Sequence, residues 1–347
     1  MQTIAIFDLL NILLFRKLLL LSVWATISIN GQKSNLVRSN IKQLHDQIKE
    51  GSFRALARGI TIVENELDGY AELMMGLREH NKAKLIGITG PPGAGKSTLV
   101  NALLHHWLSE DKKIAVIAVD PSSPFNYGAL LGDRIRMSEF YTHPNIFIRS
   151  LASRGALGGL SAKIIEITDL VKEAAFDIIL VETVGVGQSE VEIAGLADCT
   201  VVTLVPEAGD EIQTWKAGIM EIANIFVVNK ADRDGAEGLY RNLRMLAHER
   251  AVDGKETPVL KTIATQNEGI KELAAEIVRY LDEEKMMPEK RLQLLTEKTW
   301  QLIQTQRMKD IDPVALKQKL KAAVLKDGFN LYSFTNSFLA GALPDGE

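Results

Sequence analysis

Leu85-Ile-Gly-Ile-Thr-Gly-Pro-Pro-Gly-Ala-Gly-Lys-Ser-Thr98 runs from an apolar strand pattern into a complete G-x-x-x-x-G-K-S loop and on into a helical pattern. Loop glycines at Gly90, Gly93 and Gly95 let backbone N–H groups turn inward around phosphates, Lys96 reaches the terminal phosphates, and the Ser97 hydroxyl is a ligand for magnesium. Ala94 and Thr98 complete the expected nucleotide-binding stretch. Well downstream, the apolar run Ile225-Phe-Val-Val-Asn229 opens into Asn229-Lys230-Ala231-Asp232. A carboxylate such as Asp232 accepts from both N1–H and the exocyclic amine of guanine. Adenine offers no such donor pair and would leave a buried charge unpaired, a costly mismatch. Phosphate loop and base motif together point to a site for GTP and GDP.

The chain has 347 residues, 46% of them hydrophobic, enough for one large domain with an accessory part. A formal charge of −4 gives no broad cationic field, which argues against nucleic acid as a partner. The single cysteine, Cys199, begins the apolar run Cys-Thr-Val-Val-Thr-Leu-Val and reads as a small core residue, which fits a reducing cytoplasm. Residues 4–29 are strongly apolar, but Arg16 and Lys17 interrupt them, and the clean run after these charges is shorter than the roughly 20 residues of a membrane span. The preferred reading of residues 1–34 is a mistaken upstream start or a nonfunctional extension. A membrane anchor and a buried helix are the alternatives.

Residues 35–83 have a helical apolar rhythm, with Ile41, Leu44 and Ile48 followed by Leu56, Ile60, Val63 and Leu67. Across 84–285 short apolar runs alternate with helical stretches. Strands are expected at 84–89, 113–119, 145–149, 177–182, 199–205, 225–229 and 258–262. This alternation predicts an α/β fold with a doubly wound, mainly parallel sheet whose ligands gather at the carboxyl ends of the strands. Residues 286–347 return to helix: 289–306 is amphipathic and Asp312-Pro313 opens another helix through Leu325. The apolar stripes there must be covered by the domain or by a second subunit.

Phosphoryl transfer to water needs a metal ion held opposite the phosphates and a water aligned on the last one, tasks for carboxylates at the ends of adjacent strands. Asp120 follows Ile114-Ala-Val-Ile-Ala-Val119, Asp133 lies in Leu131-Gly-Asp-Arg134, and Glu182 follows Asp177-Ile-Ile-Leu-Val181. All three are candidates for metal and catalytic roles beside Lys96. Gly185 could donate its backbone N–H to the terminal phosphate, which would make 183–190 a switch segment. Arg134, Arg136, Arg149 and Arg154 all lie near these segments, and none stands out as a catalytic arginine.

Thr89-Gly-Pro-Pro-Gly-Ala-Gly-Lys-Ser-Thr-Leu-Val, Val119-Asp-Pro-Ser-Ser, Leu131-Gly-Asp-Arg, Ser153-Arg-Gly-Ala-Leu-Gly-Gly, Val181-Glu-Thr-Val-Gly-Val-Gly-Gln-Ser-Glu and Ala208-Gly-Asp-Glu-Ile-Gln resemble the MeaB/ArgK GTPases over roughly residues 38–340. Generic small GTPases carry aspartate where Glu182 stands. The resemblance implies a homodimeric GTPase that serves an adenosylcobalamin-dependent acyl-CoA mutase of the methylmalonyl-CoA mutase type, gating cofactor loading and protecting the mutase. It further implies that Asp120, Asp133 and Glu182 form the metal and water network, that Asn229, Lys230 and Asp232 read guanine, and that the 209–217 loop, with Gln213 and Lys216, communicates with the mutase. The C-terminal helices match the family's dimerisation arm.

Tyr127-Gly128 stands where the family has Gly-Gly, Trp215 is larger than the usual residue, and Ile263-Ala264 replaces the Ser-Ala base loop, leaving the Ala264 N–H to face the guanine oxygen. A competing reading is a metal-delivery GTPase for a nickel or zinc enzyme. Such proteins carry a His-rich tract or a cysteine cluster, whereas this chain has six scattered histidines and one cysteine, with His105-His106 expected on a helix surface. An older family label, a kinase serving amino-acid transport, has no residue here that specifically supports it.

Overall fold

Four consecutive strands of one sheet are apolar almost without interruption, because helices cover both of its faces. The computed structural model describes residues 37–77, 83–120, 137–152, 163–183, 189–208, 221–251, 255–283, 289–325 and 328–339. Among these, β1 (Lys84–Thr89), β2 (Ile114–Asp120), β3 (Ile146–Ala152), β4 (Ile178–Glu182), β5 (Cys199–Leu204), β6 (Ile225–Asn229) and β7 (Val259–Thr262) form a seven-stranded sheet in the order β3-β2-β4-β1-β5-β6-β7. Every pairing is parallel, so the sheet is wholly rather than mainly parallel.

Alternate residues of each strand serve opposite faces. On one face Ile86, Ile88, Leu180, Val201 and Val227 pack with Leu99, Leu103 and Trp107 of α4 (Lys96–Leu108) and Leu273 and Ile277 of α8 (Ile270–Asp282). Cys199 is fully buried in this core, as its apolar context indicates. On the other face Val202, Phe226 and Val228 pack with Leu239 and Leu243 of α7 (Ala236–Glu249). Gly87 lets α6 (Ser189–Leu196) approach β1 closely, since a Cβ there would stand 2.5 Å from Ile193 Cγ1.

Residues 37–77 carry α1 (37–49), α2 (Phe53–Glu64) and α3 (Tyr70–Gly76). Ser52 caps α2 by accepting from the Ala55 N–H at 3.3 Å. The helices are fastened to the sheet domain by apolar and polar contacts alike. Phe53 contacts the rings of Phe147 and Phe176 at centroid distances of 5.6 and 5.7 Å. Arg149 donates to Glu64 at 3.0 Å and Thr61 at 3.3 Å. Lys163, just ahead of α5 (Ile164–Glu173), pairs with Glu66 and Glu166 and donates to Tyr70. Burial favours the neutral Lys163 amine, but the bonds to Glu66 and Tyr70 prevail and raise its pKa; burial raises that of Tyr70.

The Arg149 contacts explain why β3 reaches Ala152 although its apolar pattern suggests an end at 149: α2 supplies the partners that a polar residue in a covered strand needs.

The chain divides into two units, the first ending at Met286 and the second beginning at Met287. The second holds α9 (Glu289–Arg307), α10 (Pro313–Val324) and α11 (Leu331–Leu339). Asp312 caps α10, accepting from the Val314 N–H at 2.9 Å, and Pro313 takes the first turn, where a missing N–H costs nothing. Phe334 is buried between the rings of Phe329 and Phe338, but no residue of α10 is buried. Residues 1–36 lie outside the described residues. Among the described residues no helix is long and apolar enough to cross a membrane.

Candidate nucleotide site

Parallel strands deliver their carboxyl ends to one edge, and the register shows how tightly. Glu182 pairs with Ile88 on one side and Ala118 on the other, two residues short of Asp120. Asn229 pairs with Thr262, and Thr89 with Val202. The loop at 90–95 therefore springs from the centre of the edge, with Asp120 and Glu182 on the β2–β4 side and the base motif on the β6–β7 side.

The loop's shape depends on glycine at two places. Gly90 has φ +141° and faces the Thr203 carbonyl, so a Cβ would lie 2.0 Å from that oxygen. Gly95 (φ +84°, ψ 27°) turns the chain into α4, and a Cβ there would lie 2.5 Å from Asn229 Nδ2. Side chains are rarely found at such φ values, and here they would also collide. Lys96 is buried, and its ammonium donates to the loop's own Gly90 and Pro91 carbonyls at 2.9 and 3.1 Å. It is thus folded back over the mouth of the loop. Ala94 is buried, Gly93 is exposed and Thr98 is half-buried.

Ser97, in the first turn of α4, donates from Oγ to Glu182 Oε1 at 2.7 Å, both residues being buried. The distance is that of a well-formed O–H···O bond. Two residues 85 apart in sequence, each assigned to the metal from sequence, thus meet at the edge. Asp120 closes β2 there, and nothing further is described of its side chain; Asp133, Gly185, Gln213 and Lys216 lie outside the described residues.

Asn229 is a three-way tie. Its Nδ2 donates to the Ala94 carbonyl at 2.9 Å, while Oδ1 accepts from Thr262 Oγ1 at 3.1 Å and from the Ala264 N–H at 3.3 Å. The Ala264 N–H, expected to face guanine, is directed at Asn229 in this structure. Lys230 adopts the left-handed region at φ 55°, uncommon for a side-chain-bearing residue, and its ammonium donates to the Gly93 carbonyl at 2.8 Å. Phosphate loop and base motif are therefore bonded to each other twice, through Asn229 and through Lys230. Asp232, which follows, is exposed. Next to it Arg233 pairs with Glu207, which follows β5, and Arg233 holds the Glu207 carboxyl below its ordinary range.

Some contributors were not singled out in the sequence. Thr262 orients Asn229, and Thr89 and Thr183 bring their hydroxyls to 2.9 Å. The only advance signal was a threonine at the end of an otherwise apolar strand. Arg149, near the switches in sequence, is engaged by Glu64 and Thr61. His105 contacts Glu139 and the Phe140 ring, and His106 contacts Glu110. His105 is exposed, as expected, and His106 only partly so. Among the described residues no group of three or more His, Cys, Asp or Glu side chains is placed to hold a metal ion.

Comparison with known proteins shows the family. The model of the family described as "Methylmalonyl Co-A mutase-associated GTPase MeaB" matches residues 56–313. A Pyrococcus abyssi relative that bears a GTPase name is 45% identical over 265 residues, covering 74% of this chain and 82% of its own. The GTPase ArgK of Escherichia coli is 36% identical over 245 residues, 67% of this chain and 74% of its own. Among solved structures, that of a LAO/AO transport system kinase superposes with a TM-score of 0.63 at 26% identity, covering 87% of this chain and 97% of that one. With more than half of its length matched by the family model and the nucleotide loop, Glu182 and base motif gathered at one edge, the chain belongs to the MeaB family of GTPases.

Proposed function

We propose that the chain is a GTP-hydrolysing chaperone of an adenosylcobalamin-dependent acyl-CoA mutase of the methylmalonyl-CoA mutase type, gating loading of the cofactor and protecting the loaded enzyme. It works in the cytoplasm as a homodimer joined through residues 286–347, with 35–83 and 84–285 forming the helical segment and the GTPase domain. The observation that carries the GTPase half is the Ser97–Glu182 bond at the mouth of the phosphate loop. The mutase half rests on the family description.

Lys96 exchanges the Gly90 and Pro91 carbonyls for oxygens of the terminal phosphates, a short swing for an ammonium already at the mouth. Magnesium suits the donors present, because Ser97 and Glu182 offer hard oxygens and a hydroxyl that donates its hydrogen keeps lone pairs for a cation. Ser97, Asp120, Asp133 and Glu182 would hold the ion, which supplies neutralisation of the charge developing on the phosphates. Glu182 fixes the Ser97 hydroxyl and shares in orienting the attacking water, and Gly185 senses the terminal phosphate. Asp232 selects guanine, while Asn229 and Lys230 hold the base loop to the phosphate loop, so that base and phosphates are read as one rigid unit. Exposed apolar side chains of α9 and α10 supply the contact between protomers.

The 209–217 loop, with Gln213 and Lys216, reports the nucleotide to the mutase, which retains its own adenosylcobalamin. The test is GTP turnover by the purified chain with and without such a mutase. Turnover should rise on addition. Gln213→Ala and Lys216→Ala should lose most of the rise while holding GTP affinity within about threefold, as expected for residues that carry coupling rather than binding. A mutase that neither associates with the chain nor alters its turnover contradicts the proposal.

A further inference from the structure

Thr89 and Thr183 lie 94 positions apart and meet through their hydroxyls at 2.9 Å, with 1% and 2% of their surfaces exposed. Each stands at a junction. Thr89 is the last residue of β1, immediately before Gly90 of the phosphate loop; Thr183 is the first residue after β4, immediately after Glu182. The parallel ladder pairs Ile88 with Glu182, and the Thr183 N–H donates to the Ile88 carbonyl at 3.1 Å, which carries the β1–β4 pairing one step past the strand. The hydroxyl contact closes that step. Bonded on both backbone and side chain to β1, Thr183 leaves the adjacent Glu182 little freedom in its main chain.

A threonine hydroxyl at a buried strand end must find a partner or cost roughly 1–3 kcal/mol. Two such residues facing one another satisfy that need and bind two strands together, where two valines would fill nearly the same volume without any directional bond. Glu182 needs such direction, because it must meet Ser97 Oγ at 2.7 Å.

We propose that Thr89 and Thr183 are positioning residues for GTP hydrolysis: their hydroxyl pair fixes Glu182 against Ser97. They touch neither nucleotide nor metal in this account. The inference rests on Glu182 acting in hydrolysis, so Glu182→Gln is measured alongside.

The experiment compares single-turnover GTP hydrolysis and GDP affinity in the full chain for Thr183→Val, Thr89→Val, the double valine variant and Thr183→Ser. Each valine should slow hydrolysis by about tenfold with GDP affinity within about twofold, the pattern of an interaction realised only in the reacting complex. The double variant should be no slower than either single one, since the same bond is lost in each. Thr183→Ser, which keeps the hydroxyl, should restore most of the rate. A purely structural role would lower thermal stability and leave the rate of the folded protein unchanged. Wild-type rates in the valine variants, or equal losses of rate and GDP affinity, overturn the proposal. Should a single valine variant fail to fold, the double variant, which leaves no lone buried hydroxyl, and Thr183→Ser decide alone. If the valines are silent while Glu182→Gln is slow, only the positioning role fails. If Glu182→Gln is itself as fast as wild type, the role of Glu182 fails first.

Discussion

The ligand edge of the sheet and the C-terminal helices solve opposite problems. At the edge, polar residues are buried and bonded: Ser97 to Glu182, Thr89 to Thr183, Asn229 to Ala94, Thr262 and Ala264. In the unit from Met287 onward, apolar residues are exposed: Trp300 by 62% and Leu325 by 82%, with no buried residue in α10. Buried polar groups with partners make a rigid site that holds its geometry without help. Large apolar side chains along helices, left in water, mark a surface suited to another protein surface. The contrast separates a part of the molecule held by internal order from one for which we propose association.

The largest effect should come from breaking the rigid side at its tightest point. Gly90→Ala places a methyl group against the Thr203 carbonyl, 2.0 Å from its oxygen, at a φ that alanine resists. Overpacking and backbone strain together should cost about 4 kcal/mol or more, measurable as loss of the folded protein in urea denaturation. A stable Gly90→Ala protein with normal GTP affinity would show that the loop gives way more easily than its packing indicates.

Breaking the other side should change assembly and leave the fold alone. A chain ending at Met286 keeps the whole sheet core, so its unfolding should remain cooperative, while the proposed dimer should dissociate in sedimentation. A milder form is Trp300→Ser, which should alter the stability of the isolated protomer by no more than about 0.5 kcal/mol and weaken the dimer at least about tenfold. Dimers that survive truncation would place the interface in the first unit.

The smallest effect belongs to Arg233→Ala. Its ion pair with Glu207 is about half exposed on both sides, and such pairs contribute at most about 1 kcal/mol. Since Arg233 depresses the Glu207 carboxyl below its ordinary range, the stabilisation is present above the unfolded-state pKa and is lost as pH falls through the folded one. Wild type and variant should therefore differ at neutral pH and converge in acid. A variant that loses guanine preference would give the pair a role in base selection.

The central strands were legible because parallel strands covered on both faces read as nearly unbroken apolar runs, and each expected strand, β3 and β7 included, lies within three residues of its observed bounds. Gly90 and Gly95 were legible because their spacing is set by the phosphate loop. The Ser97–Glu182 contact was half legible: both residues stand out, but only the register of β1 against β4 brings them to bonding distance. Asn229 shows what sequence withholds. The motif marks it, but its bonds run to residues 135, 33 and 35 positions away, and these distances depend on how the loops fold back over the edge. The Thr89–Thr183 pair was invisible, since a threonine at a strand end is ordinary until its counterpart is found opposite.

In the proposed mechanism Glu182 converts a nucleotide-binding edge into a hydrolytic one. Single-turnover GTP hydrolysis and GDP affinity, measured on wild type and on Glu182→Gln, test this directly. The amide keeps the shape and an acceptor for Ser97 but removes the charge, so hydrolysis should fall by about 100-fold while GDP affinity stays within about threefold. Hydrolysis at the wild-type rate in Glu182→Gln would contradict the account, leaving the Ser97–Glu182 bond a structural tie and placing the chemistry on other residues.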